Sequence, residues 1–254
     1  MSASSETKAA GDGLRWYQNP WVWGVIFGLV FIPLIRPLTR HVPAPPPVMG
    51  QLPVFSLVDQ DGAPFGTEQM AGDVWVVGFF FTSCRTVCPR ILAAMNSLQD
   101  KYVSFDHDVR LLTVTVDPTT DTPEVLATKA AEIGAQAGVW SFITGDEPEV
   151  RRLVEGGFAT AMGEREVEPG GALLDIAHTE KLVLIDWQGR IRGYYAIDEL
   201  GLDEVYHRSR HVLRERKELE RAARRHGSIS PEATRGDAVV HRFAALSAVP
   251  ESCL

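Results

Sequence analysis

Two cysteines separated by three residues stand in "FFFTSCRTVCPR", residues 79–90, between an apolar run and a proline. Thiols so placed serve one of two chemistries: exchange with disulfides, or capture of a soft metal. A two-residue spacing favours redox; the three-residue loop is looser and suits chelation at least as well. If Pro89 is the first helical residue, Cys88 caps the helix and Cys84 belongs to the loop before it. The helix N-terminus then sets partial positive charge beside both sulfurs, favouring thiolate over thiol. Zinc fits poorly, because a structural site wants four ligands and only one other candidate has a defined strand position. That candidate is His178 in "LLDIAHTEKLVLID", directly before a strand expected to neighbour the cysteine strand. Two thiolates and one imidazole suit three-coordinate Cu(I), and Cu(II) with an added ligand.

Other polar residues invite plainer readings. Asp117 and Asp121 in "VDPTTDTP" follow a buried strand; turn formation and helix capping are their ordinary roles, and a place near the thiols is the alternative. His207 and His211 share a helix face at i, i+4. Arg208, Arg210 and Arg214 crowd them, so a solvated polar face is expected rather than a metal pair. Cys253 reads as a free thiol in the tail. The basic run 208–225 reads as a solvated helix that meets anionic lipid or a partner only from the appropriate side of a membrane.

Strands and helices must position the thiols. "PVFSLVDQDGAPF" predicts two short strands around Asp61-Gly62, and "VWVVGFFF", residues 74–81, a buried central strand. From Pro89 an amphipathic helix follows, apolar at 91, 92, 95 and 98. Residues 109–117 give a second buried strand, "DTPEVLATKAAEIG" a helix closed by Gly134, "VWSFITG" a strand, and "EPEVRRLVEGGF" a helix. Residues 180–197 give two strands around Gln188-Gly189. This alternation predicts an α/β layer fold with a mostly parallel sheet and an antiparallel hairpin at one end.

The chain has 254 residues, a formal charge of −8 and three cysteines, so disulfides do not build its scaffold. Its basic residues are not massed on the central part, which argues against nucleic acid. The segment "WVWGVIFGLVFIPLI", residues 21–35, has no charge, and Trp16, Tyr17, Trp21 and Trp23 crowd one end like an interfacial belt. A cleaved signal peptide competes with an anchor here. The long mixed-charge lead (Glu6, Lys8, Asp12, Arg15) and Pro45 after "VPA" favour an uncleaved transmembrane helix. Two acids among the first twenty residues disfavour mitochondrial import, leaving a single-pass bacterial inner-membrane protein over a mitochondrial inner-membrane one. The expected organisation is an N-terminal tail (1–20), an anchor (21–38), a proline-rich spacer (39–53), a globular domain (54–201), a helical extension (202–227) and a loose tail (228–254).

"FFFTSCRTVCP", "LLTVTVDPTTDTPEVL", "WSFITG" and "AHTEKLVLIDWQGRIRGYY" come in an order and at spacings that resemble the Sco/SenC family. The resemblance covers about residues 50–200. It implies a thioredoxin-like fold facing the periplasm, and copper, as Cu(I) or Cu(II), held by Cys84, Cys88 and His178. It further implies a metallochaperone rather than an enzyme, one that serves the dinuclear copper centre of cytochrome c oxidase subunit two or another periplasmic copper protein. The runner-up is a thiol–disulfide oxidoreductase using Cys84 and Cys88 as a redox pair to reduce a copper protein's cysteines. A redox or copper sensor working through the extension is third. The family often carries Pro and Asp between the cysteines, where this chain has Arg85, Thr86 and Val87. Arg85 should depress the thiol pKa values and disfavour a bound cation.

Overall fold

The computed structural model describes residues 20–39, 44–105, 108–159 and 180–225. The chain divides at Pro43 into two units. The first contributes one described element, α1 (Pro20–Thr39), whose Trp21, Phe27, Leu29, Ile32 and Leu34 are exposed. Among the described residues no helix is long and apolar enough to cross a membrane. The spanning helix expected over 21–38 is therefore met only by a helix of the right place. Its uncharged run of fifteen residues rises about 22 Å, short of the roughly 30 Å hydrocarbon core.

Among the described residues of the second unit an eight-stranded sheet carries the site. Its strands are β1 (Gly50–Gln51), β2 (Ser56–Asp59), β3 (Pro64–Gly66), β4 (Val74–Phe80), β5 (Val109–Thr115), β6 (Trp140–Thr144), β7 (Lys181–Ile185) and β8 (Arg190–Ala196), in the spatial order β1-β8-β7-β4-β5-β6-β2-β3. Only β4–β5 and β5–β6 are parallel; the other five pairings are antiparallel. The expected mostly parallel sheet is thus a mixed one. The crossover helices enforce parallel pairing only in the middle, while the hairpins around Gly62 and Gly189 add antiparallel strands towards both edges. Both turn glycines have positive φ, 75° and 74°, where a side chain would be strained.

The short helix α2 (Thr67–Met70) leads into β4, which is buried along its whole length because both sheet faces are covered. Val74, Val76 and Phe80 point into one core with α3 (Cys88–Phe105) and α4 (Pro123–Glu132). Trp75, Val77 and Phe79 point into the other, with Val150 of α5 (Glu147–Arg151) and Leu153, Val154 and Phe158 of the π-helical turn that continues it (Arg152–Ala159). Ile91, Leu92, Met95, Leu98 and Tyr102 form the inner stripe of α3, as the apolar spacing predicts. Gly78 lets α3 lie close on β4: a Cβ there would come within 3.3 Å of Ile91 Cγ2 and 3.5 Å of Met95 Sδ.

Two expected boundaries move. Residues 46–53 are not free spacer. Pro46 is buried, β1 pairs with β8, and the Leu52 N–H donates to the Gly189 carbonyl at 3.0 Å. At the other end α6 (Glu199–Arg225) starts before 202, and its Val205, Val212 and Leu213 lie in the same core as α3. The charged composition of 202–227 hid this stripe. Three buried aliphatic side chains contribute about 1.5–3 kcal/mol each, so the first half of α6 is part of the domain.

Candidate metal centre

β4 ends at Phe80 and α3 begins at Cys88, so the intervening loop carries Cys84 at the C-terminal edge of the sheet. Both cysteines are free thiols; Cys84 is half-exposed and Cys88 buried. The Cys84 N–H donates to the Phe81 carbonyl at 3.2 Å, and the Cys88 N–H donates to Cys84 Sγ at 3.4 Å. The two residues therefore do not share one environment. Partial burial pushes the Cys84 thiol up, but hydrogen bonds from the Cys88 N–H and thiol and from the Thr86 and Val87 N–H groups outweigh it, holding Cys84 down at about 6. Burial pushes Cys88 up to about 12, helped by its hydrogen bond to Cys84 and the negative charges of Cys84 and Asp121, against the Phe81 backbone. The expectation of two thiolates is corrected to one. The helix N-terminus reaches Cys84 through the Cys88 N–H, whereas desolvation dominates at Cys88 itself.

Arg85 is exposed, has no hydrogen bond or ion pair among the described residues, and is not among the groups that lower Cys84. The expected depression of the thiol by this guanidinium is replaced by backbone N–H groups. Asp121 is fully buried and caps no helix; Thr122 is the N-cap of α4. Its carboxylate accepts from the Thr82 N–H and hydroxyl and from the Thr115 hydroxyl, tying the start of the cysteine loop to the end of β5. Asp117 forms a turn instead, accepting from the Thr119 hydroxyl at 2.8 Å. Sequence reasoning missed Thr82 and Thr115; the signal was a threonine at or just beyond the end of an apolar strand. Beside the thiols lies a cavity of about 350 Å³, with Phe81, Leu92 and Ile133 among its walls and Lys129 at its lining.

His178 lies outside the described residues, which resume at Glu180. β7 pairs antiparallel with β4, Val183 opposite Val77, and continuing that register sets Lys181 opposite Phe79. The chain entering β7 thus arrives beside the cysteine loop. Glu180 has φ 50°, accepts from the Ile197 N–H, and is bound at 2.5 Å by Arg90 from the first turns of α3. Among the described residues no group of three His, Cys, Asp or Glu is placed to hold a metal. Burial and the neighbouring charges, Arg214 and Arg208 foremost, push His211 down, and the arginines around His207 and His211 repel a metal cation. Cys253 also lies outside the described residues.

The SCO1/SenC family model matches residues 49–214. The chain belongs to the SCO1/SenC family. Two curated relatives of this Sco chain are the SCO1 protein homolog of Bacillus subtilis, 27% identical over 72% of the chain and 92% of the relative, and a putative copper-binding protein of Stutzerimonas stutzeri, 29% identical over 56% of the chain and 68% of the relative. Among solved structures, a SCO1/SenC family lipoprotein from Bacillus anthracis superposes with a TM-score of 0.57 at 28% identity, covering 66% of this chain and 97% of that one. BsSco, described as having a disulfide switch and as a member of the Sco family of cytochrome c oxidase assembly proteins, gives 0.53 at 26% identity, covering 66% and 98%. These likenesses show that the second unit has the thioredoxin-like Sco fold.

Proposed function

We propose that this chain binds copper through Cys84, Cys88 and His178 and supplies it during assembly of the dinuclear copper centre of cytochrome c oxidase. One observation carries the reading. A thiolate-forming Cys84 and a buried Cys88 share one strand-to-helix loop, beside the edge at which the chain leading from His178 enters β7. Two sulfurs and one imidazole form a soft donor set that suits cuprous copper. The name of the Stutzerimonas relative, a copper-binding protein, and the oxidase-assembly role stated for BsSco support it.

In this reading copper is cargo. Cys84, half-exposed, receives it first from solvent; Cys88 gives up its proton as it becomes the second ligand, since a metal at hydrogen-bond range reverses the cost of its charge. Asp121 holds the loop through Thr82 while this happens. Attachment to a bacterial inner membrane through α1, with the domain in the periplasm, belongs to the same proposal, supported by the exposed apolar residues of α1 and by the lipoprotein nature stated for the Bacillus anthracis relative. Titration of the reduced protein with Cu(I) in competition with a chromophoric chelator tests the ligand set. Replacing His178→Ala is expected to weaken binding at least tenfold; an unchanged affinity would remove His178 from the site.

The thiol asymmetry favours a second activity at the same residues. Cys84 as thiolate attacks one sulfur of a client disulfide, forming a mixed disulfide and releasing the client's other thiolate. Cys88, once deprotonated, attacks Cys84 Sγ, freeing the second client thiolate and leaving a Cys84–Cys88 disulfide. The client is reduced by two electrons and the pair oxidised by two. A protein whose dithiol never oxidises across the periplasmic range of potentials would exclude this activity, and His178→Ala should leave it intact.

A further inference from the structure

The basic second half of α6 is used by none of this chemistry. Between Arg214 and Arg225 six cations stand against three carboxylates, in a chain whose overall charge is −8. Two of the three carboxylates are already engaged, Glu215 by Arg192 and Glu220 by Arg216. Lys217 is bound to Asp108 at 2.7 Å. Arg214, Arg221, Arg224 and Arg225 are exposed and have no ion pair among the described residues; Glu218 is the one carboxylate of the segment left beside them.

Three contacts fix where this segment lies in the domain. Arg216 donates to the Gly72 carbonyl at 2.6 Å, just before β4 begins. Arg216 and Lys217 reach Asp108, just before β5 begins. Glu215 binds Arg192, whose Nε donates to the Pro46 carbonyl at 2.8 Å. Strands β4 and β5 run from this pole towards the thiols. The basic end of α6 therefore emerges at the pole opposite Cys84 and Cys88, on the side of Pro46 near the start of the second unit. From Lys217 to Arg225 the helix runs on for about 13 Å.

We propose that this basic end is a docking surface for anionic phospholipid, which turns the thiol pole away from the bilayer. The inference rests on the proposed membrane attachment through α1 for its geometry. The occupant is chosen by charge and place. A cluster of arginines beside a membrane-proximal linker meets an anionic surface first, each cation adding to a screened, salt-sensitive attraction, and guanidinium groups pair well with phosphate oxygens. An acidic protein is the competing occupant.

The test uses the full chain in vesicles of phosphatidylcholine alone or with about 30% phosphatidylglycerol. Phenylglyoxal labels exposed arginines, and mass spectrometry reads each one. Arg85 and Arg90 at the thiol pole serve as internal references. Labelling of Arg214, Arg221, Arg224 and Arg225 relative to those references should slow about fivefold in the anionic vesicles at low salt, and the protection should vanish in 0.5 M salt. In the Arg221→Glu/Arg224→Glu variant, Arg214 and Arg225 should lose their protection. Equal labelling in both lipids, with the chain floating on both vesicle types, would overturn the lipid surface while leaving the anchor intact. Flotation only on anionic vesicles would keep the surface and remove the anchor. Protection in native membranes but not in anionic vesicles would assign the segment to an acidic protein and overturn the lipid proposal.

Discussion

The two ends of the central strands treat charge in opposite ways. At the thiol end Cys84 stays partly open to solvent and draws its thiolate character from N–H groups. The neighbouring Arg90–Glu180 pair is substantially exposed and Arg85 is unpaired among the described residues. At the other end Asp186 and Arg192 are almost wholly buried. Asp186 accepts from the Gln188 and Arg190 N–H groups and from both arginine side chains, and Arg192 reaches on to Glu215 and the Pro46 carbonyl. One end leaves its reactive group available for exchange; at the other, Asp186 and Arg192 hold the entering chain, a β-turn and α6 together. A buried charge with every partner in place tolerates no loss, whereas a half-exposed one can change partners.

The largest effect should come from the buried end. Arg192→Met leaves Glu215 without its cation and Asp186 with Arg190 alone, and is expected to lower unfolding stability by about 3–5 kcal/mol, read as a fall in the urea midpoint. Cys84 alkylation at neutral pH should be unchanged below the transition. A variant that lost thiol reactivity in the folded state would mean that the two ends are coupled.

A smaller loss is expected from Asp121→Asn. Both carboxylate oxygens accept hydrogen bonds from threonine groups, and an amide can accept at only one of the two positions. The expected cost is about 1–3 kcal/mol. Unlike Arg192→Met, this change should alter Cys84 alkylation and Cu(I) affinity, because Thr82 leads into the cysteine loop. A stability loss with neither changed would make Asp121 purely structural.

The smallest effect on stability, though the clearest on reactivity, is pH. With Cys84 held down at about 6, its iodoacetamide rate should be flat above pH 7 and fall tenfold per unit below 6. Cys88, pushed up to about 12, should stay unlabelled throughout. Because the folded Cys84 pKa lies below its unfolded value, its contribution to stability is present at alkaline pH and lost as pH falls through 6. A labelling midpoint at 8 or above would cancel the proposed asymmetry.

Sequence alone located most strands and helices of the second unit, since the continuous apolar run "VWVVGFFF" and the 91, 92, 95, 98 spacing are local signals. What it could not show is pairing at a distance. The sheet is mixed because β7 returns antiparallel beside β4, which no window of residues records. Asp121 looked like a cap because its partner Thr82 lies 39 positions away. Arg192 drew no notice at all, its contact with Pro46 spanning 146 positions. At the site, residue type was legible in Cys84 and Cys88, but their difference was not. It arises from burial of one and backbone donors to the other, and neither is written in the interval "RTV".

Consider finally the rims of the sheet. β1 has two residues and β3 has three, the first of them Pro64. Such short margins offer a passing strand few free backbone groups to pair with, which guards an eight-stranded sheet against stacking into fibrils. They also withhold one common mode of partner capture, strand addition.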